Sequence, residues 1–422
     1  MHRPVVYDLT HLVSRLSTPA SSGIDRVDLA YGAHFTSGDR RMAAGAHYGL
    51  ARPHTLSLEN ARAIVDLAGA AWRDEGDGAR CSALSGWLAT PPAQPFDRRG
   101  APARRVSVAA GLTRSLAKAR FRLFDDRRLR IPDGAIYLNV AQHAFEHPVF
   151  FRWLDKRDDL RRVFLIHDLL SLDYPEYFPA SNLALFRRRL ATALRYADAF
   201  VVSTQAVAAR LRAELERQGS PIRPIHVQPF ASPLEGAARE AAHDGHPYFV
   251  VIGTIEPRKN HLLILHLWRQ LAARDRDAPR LVIVGGRGWE NEQIVDLLDR
   301  APALRAHVVE FSGLPDADLS RLLCGARALL APSFDEGYGL PVVEALSLGA
   351  PVAASDIPVF REVTQGRAKF LSPLDGPGWR DEIVQLWRDE QYYRRRGDET
   401  RRFVTPTWEG YFEGVRGFLE TL

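Results

Sequence analysis

The chain has 422 residues, 46% of them hydrophobic, a formal net charge of +5 and an isoelectric point of about 9.3. That length suits two domains with sizeable cores, and the mild basicity suits acidic substrates or an anionic surface. Two cysteines, Cys81 and Cys324, exclude a disulfide framework or a cysteine metal cluster and fit a reducing cytoplasm. No run of about eighteen apolar residues offers a membrane span, and MHRPVVYDLTHLV lacks the apolar core of a signal peptide.

Residues 4–9 read as a first strand, followed by a loop rich in Ser, Thr and Pro. A helix then begins at Ile24, with Ile24, Val27 and Tyr31 on one face. Gly23 and Arg26 therefore stand at a strand-to-helix turn, the place where open α/β sheets bind ligands; an ordinary turn has the same appearance. Residues 56–134 break the pattern with a proline-rich stretch and a basic one. From Arg98 to Arg130, eleven Lys/Arg face two acids, which is +9 locally and leaves −4 for the remainder. Leu112, Leu116, Ala119 and Leu123 fall at helical spacing within it. This predicts a basic amphipathic helix suited to anionic lipid or a lipid-diphosphate acceptor, with a solvated insertion as the alternative. Few aromatics interleave the arginines, so no nucleic-acid partner is expected.

Strand patterns resume at 135–140 and 163–167. The second ends on His167 and Asp168, at a strand's carboxyl end. A helix, a strand at 199–202 and a helix opened by Ser203 and Thr204 follow. Residues 231–247 are small, polar and of mixed charge, and place a domain boundary. Tyr248–Ile252 is the next strand, Gly253 and Thr254 turn it, and a helix starts near Asn260. Arg258 and Lys259 stand just before that helix, where two cations would neutralise a departing diphosphate. Lys259 is one of only four lysines in a chain with 52 arginines.

The strand at 281–284 ends in Gly285, Gly286, Arg287 and Gly288. A dinucleotide fingerprint would need glycine at Asn291, which counts against a nicotinamide-dependent oxidoreductase. A strand at 308–311, the Ser312-Gly313 turn and a helix at 316–326 lead to the most informative stretch. There the apolar run Ala328–Ala331 breaks at Pro332-Ser333. A glycine loop follows, and then a helix whose first position suits Pro341. A helix amino terminus facing such a loop favours an anion. Glu336 and Glu344 frame the same spot, and carboxylates accept hydrogen bonds from hydroxyls. A nucleotide sugar carries both groups. In the tail, Trp408, Phe412, Val415 and Leu419 are in register on one helix face.

The run Glu336-Gly-Tyr-Gly-Leu-Pro-Val-Val-Glu344 resembles the signature of the retaining glycosyltransferases of family four. That signature is two glutamates separated by seven residues around Gly-Phe-Gly-Leu-Pro; here Tyr338 replaces the phenylalanine. The resemblance is closest over 160–363. It implies an α/β GT-B fold, two Rossmann-like domains facing across a cleft, with a carboxyl-terminal helix crossing back to the amino-terminal domain. Residues 1–235 would bind the acceptor and carry the insertion at about 56–134. Residues 246–400 would bind the nucleotide sugar, and 401–422 would form the returning helix.

The resemblance also implies roles. Arg258 and Lys259 would hold the donor phosphates together with the amides of Gly337, Tyr338, Gly339 and Leu340. Lys259 matches the family lysine; the family arginine often lies where Thr254 stands, and Arg258 would replace it. Glu344 would accept the ribose hydroxyls and Glu336 those of the donor sugar. His167 would reach the sugar from the other domain. Gly253 and Thr254 would line the donor site and Gly313 would lie near the base; the glycine-rich turn at Gly23 would contact the donor phosphates or the acceptor, and Gly23 and Arg26 would stand on the acceptor side. No metal and no cofactor besides the donor is implied. HDLLSLDYPEYF looks like a mannosyltransferase branch, which makes GDP-mannose the expected donor and UDP-sugars or dTDP-rhamnose the alternatives. The expected acceptor is a lipid-linked or growing bacterial surface glycan, at the inner face of the plasma membrane. A non-catalytic glycan- or membrane-binding protein on the same fold is the alternative of another class.

Overall fold

The computed structural model describes residues 3–16, 22–37, 42–48, 53–72, 78–90, 96, 131–234 and 245–422. The basic helix expected within 98–130 lies outside the described residues. No helix among the described residues is long and apolar enough to cross a membrane.

Among the described residues, thirteen strands form two sheets. The first contains β1 (Val5–Asp8), β2 (Met42–Tyr48), β3 (Pro53–Leu56), β4 (Ile136–Asn139), β5 (Arg161–Ile166), β6 (Ala199–Val202) and β7 (Ile225–Val227). The second contains β8 (Tyr248–Ile252), β9 (Arg280–Val284), β10 (Val308–Phe311), β11 (Ala328–Ala331), β12 (Val352–Ser355) and β13 (Lys369–Leu371). Their orders are β3-β2-β1-β4-β5-β6-β7 and β10-β9-β8-β11-β12-β13. Every pairing is parallel except β2 with β3. The central strands are short, buried apolar runs, as expected where helices cover both faces of a sheet. Strand order reverses between β1 and β4 in one sheet and between β8 and β11 in the other. Loops leaving these pairs diverge and open a crevice, where such folds hold ligands.

Several predicted elements differ in detail. The helix expected to open on Pro341 runs Leu340–Ser347, with Gly339 in the left-handed region at φ 92° before it. Arg258 and Lys259 form a short 3₁₀ turn, Pro257–Lys259, and Asn260 at φ 56° separates it from the helix His261–Arg274. In the helix Gly23–Thr36, Ser22 accepts from the amide of Asp25 while the Asp25 carboxylate accepts from the amide of Ser22, a capping box. Its buried face includes Val27, Tyr31 and Phe35; Ile24 is exposed, because the first turn overhangs the core toward Leu340.

One hydrophobic cluster joins the two sheets. It runs from Val5, Tyr7 and Leu138 through Phe230 and Leu234 to Tyr248, Val343 and Tyr411. The helix Trp408–Glu420 returns to the first sheet. It buries Tyr411, Phe412, Val415 and Leu419, and the Tyr411 hydroxyl meets that of Tyr31 at 2.8 Å. Phe412 packs edge-on to Tyr31 and Phe35. Trp408, expected on this face, is only partly covered and stacks on Phe412.

Candidate active site

The loops after β8 and β11, the strands flanking the second switch point, bring the candidate residues together. β8 ends at Gly253, whose φ of 143° is open to few residues but glycine, and a Cβ there would lie 3.1 Å from the Lys259 side chain. Thr254 beside it is exposed. Lys259 Nζ reaches Glu336 Oε1 at 2.5 Å, and Arg258 Nη1 reaches Glu336 Oε2 at 2.8 Å. One carboxylate from the β11 turn is thus clamped by two cations from the β8 turn. Ser333 Oγ donates to the same Oε1 at 2.7 Å.

Arg258 is buried and shared. Its Nη2 meets Glu256 Oε1 at 2.5 Å and its Nη1 donates to the carbonyl of Asp335 at 2.7 Å. Burial alone would push Glu336 up, but Arg258 and Lys259 outweigh it and hold the carboxyl at about 2. Glu344 lies one turn into the Leu340–Ser347 helix and is buried too. Burial dominates there and pushes it up to about 7, against the pull of Arg26.

The first sheet closes over this turn. Gly337 packs so tightly on the β5 loop that a Cβ would stand 2.8 Å from Asp168 Cβ and 2.8 Å from the carbonyl of His167. Ser203 Oγ lies 3.4 Å from the Gly337 carbonyl, and the buried Tyr338 hydroxyl donates to the carbonyl of Phe230 at 2.5 Å. His167 Nε2 faces the carbonyl of Val140 at 2.9 Å, so that nitrogen carries the proton. Burial lowers the imidazole to about 4, which keeps it neutral near pH 7 with Nδ1 as an acceptor. Arg26 Nη1 crosses from the first sheet to Glu344 Oε1 at 3.1 Å, and its Nη2 reaches Asp316 Oδ1 at 2.6 Å. Gly313, in the left-handed region at φ 71°, turns the chain toward Asp316. A Cβ on Gly23 would lie 3.1 Å from Leu340 Cδ1, so the Gly23–Thr36 and Leu340–Ser347 helices meet at their amino ends.

Glu336, Arg258 and Lys259 therefore form one cluster and Glu344, Arg26 and Asp316 a second, on either end of the Gly337–Gly339 turn. Ser333, Glu256 and Asp316 were not singled out from the sequence, and Asp168 was named there only as the neighbour of His167. Ser333 and Glu256 stand within three residues of Glu336 and Arg258, so proximity was an available signal; Asp316 is brought in by tertiary structure alone. The glycines at 285 and 288 have a structural explanation. A Cβ at 285 would collide with the Gly253 carbonyl at 1.9 Å, and one at 288 with Thr254 Cγ2 at 2.5 Å. Asn291 donates to the carbonyl of Ile255 at 2.8 Å.

Paired doubly wound sheets, a cleft at their carboxyl ends and a terminal helix returning to the first sheet define a GT-B architecture. The sucrose-phosphate synthase of Thermosynechococcus elongatus shares this fold, with a TM-score of 0.54 at 16% identity over 78% of this chain and 81% of that one. Residues 236–401 match the family Glycosyl transferases group 1. The chain also resembles the serotype-specific mannosyltransferase WbdA of Escherichia coli, 29% identical over 240 residues, 53% of this chain and 29% of that protein. The O-antigen chain mannosyltransferase B of Escherichia coli is 35% identical over 146 residues, 34% of this chain and 38% of that protein. The chain thus matches well under half the length of these curated relatives.

Proposed function

We propose that the protein is a retaining, metal-independent glycosyltransferase that moves mannose from GDP-mannose to a lipid-linked or growing bacterial surface glycan. The observation that carries this reading is the clamp of Arg258 and Lys259 on Glu336 at the mouth of a glycine turn, with Glu344 one helical turn away. Two cations that neutralise a carboxylate can instead neutralise a diphosphate, and the carboxylate then accepts sugar hydroxyls. In this reading the amides of Gly337, Tyr338, Gly339 and Leu340 complete the phosphate cradle, Glu344 takes the ribose, and Gly253, Thr254 and Gly313 border the nucleotide. Neutral His167 accepts a donor-sugar hydroxyl through Nδ1. The bond from C1 to the phosphate oxygen breaks as the acceptor oxygen bonds C1 on the same face. The acceptor's proton passes to the departing phosphate oxygen.

Mannose is preferred because relatives named as mannosyltransferases recur among the matches. A calorimetric panel of GDP-, UDP- and dTDP-sugars, paired with slow donor hydrolysis, tests the donor. GDP-mannose should bind and hydrolyse; binding of UDP-sugars or dTDP-rhamnose alone would overturn that choice. Lys259→Ala should weaken diphosphate binding by roughly tenfold or more, the scale of a lost charge-assisted hydrogen bond. Unchanged affinity would remove the phosphate assignment. The basic stretch 98–130 would dock on anionic lipid; salt-sensitive flotation with anionic liposomes supports this, and salt-insensitive binding or none refutes it.

A further inference from the structure

We propose that Arg26 exchanges partners during donor binding: the ribose hydroxyls take over Glu344, and the released guanidinium pairs with the donor diphosphate. This inference rests on Glu344 being the ribose acceptor.

Three observations carry it. First, Arg26 Nη1 uses Glu344 Oε1 at 3.1 Å, and an oxygen so engaged has less capacity for a ribose hydroxyl. Second, the guanidinium is already beside the phosphate cradle. Gly23 touches Leu340, and Arg26 lies one turn beyond Gly23 as Glu344 lies one turn beyond Leu340. A change of side-chain rotamer, rather than a movement of either helix, carries the guanidinium from the carboxylate toward the amide groups that open the Leu340–Ser347 helix.

Third, the charges require a rearrangement. Arg258 and Lys259 are matched by Glu336 and Glu256, while Arg26 is matched by Glu344 and Asp316. Three cations thus face four carboxylates when all are ionised. A diphosphate entering this set unchanged would add negative charge to a site that has no surplus cation among these groups. It is accommodated when the carboxylates turn to hydroxyls and leave their cations to the phosphates. Glu336 does this for Arg258 and Lys259, and Glu344 does it for Arg26. Asp316, with its side chain 55% exposed, is the partner that solvent can most readily replace.

The experiment measures calorimetric affinities of guanosine, GDP, uridine and UDP for wild-type protein, Arg26→Gln and Asp316→Asn, with thermal melting as a folding control. Measured well above pH 7, so that Glu344 stays ionised without its cation, Arg26→Gln should bind the nucleoside about threefold more tightly, because no ion pair has to break. It should bind the matching diphosphate roughly tenfold more weakly, because a charge-assisted contact is lost. Asp316→Asn loosens the guanidinium without removing it, so both ligands should bind at least as tightly as to wild type. Arg26→Gln moving nucleoside and diphosphate in the same direction, or moving neither, overturns the exchange and leaves the donor reading intact. Wild-type protein that binds none of the four probes overturns the donor reading, and the exchange with it.

Discussion

Glu336 and Glu344 are the same side chain in opposed surroundings, and the opposition has consequences for pH. Cations hold Glu336 at about 2, below its ordinary 4.5. Its contribution to stability is therefore complete above about 4.5 and is lost as pH falls toward 2. Burial lifts Glu344 from 4.5 to about 7, so between those values the folded protein holds a proton that the unfolded chain has released. Its effect is the reverse: stability declines as pH climbs from about 4.5 to about 7, then levels off. Glu344→Gln should flatten that decline in a series of melting curves, and an unchanged slope would count against the assignment. A carboxylate is also the better acceptor of ribose hydroxyls, so nucleotide affinity should rise as pH passes through about 7, a dependence that calorimetry at several pH values checks. Tyr338→Phe tests the hydroxyl that distinguishes this turn. It removes the bond to the Phe230 carbonyl, should cost about 1 kcal/mol in denaturant unfolding, and should leave donor binding near wild type. The placement of the two glutamates and Lys259 at one site was legible in the sequence because local strand–turn–helix units carry them. Arg26 meeting Glu344 was not legible, since 318 positions separate them and no local pattern records the contact.

Among the elements, the turn between β11 and the Leu340–Ser347 helix is closely hemmed in by its neighbours. Gly337→Ala would place a methyl carbon 2.8 Å from both Asp168 and the His167 carbonyl, so the β5 loop would have to retreat. If the donor binds as proposed, donor affinity should fall less than turnover; equal losses would argue that the turn itself had collapsed. The returning helix is a packing element. Phe412→Ala removes a ring lodged among Tyr31, His34 and Phe35 and should destabilise the protein by about 3 kcal/mol, read from denaturant unfolding. Strands such as β8 and β11 were legible to the residue because buried parallel strands are continuous apolar runs. β2 was not: its sequence MAAGAHY carries few large side chains and no alternation. β3 opens on Pro53, which fits only an edge strand, and its pairing with β2 is the one antiparallel step among the described strands.

At the scale of the whole molecule, the two sheets meet through specific groups around the cleft as well as through the shared core. The Glu362 carboxylate accepts the amides of Gln205 at 2.7 Å and Ala206 at 3.3 Å, where the helix Gln205–Arg217 begins. Trp289 Nε1 donates to the Tyr177 carbonyl at 2.9 Å, and Phe178 stacks on its ring. Arg210 Nη2 meets Asp335 Oδ2 at 2.5 Å. The double variant Trp289→Ala, Glu362→Gln should loosen this arrangement. Small-angle scattering should show a larger radius of gyration and turnover should drop severalfold, whereas unchanged scattering would show that the shared core alone sets the spacing. Two Rossmann-like units were legible from repeated strand–helix patterns, but their mutual placement depends on long-range pairs that composition and periodicity do not encode. The return of the last helix has a mechanical consequence. Because the backbone passes between the units once in mid-sequence and again near its end, two covalent crossings tether them, and parting them would mean stripping the Trp408–Glu420 helix from the first sheet.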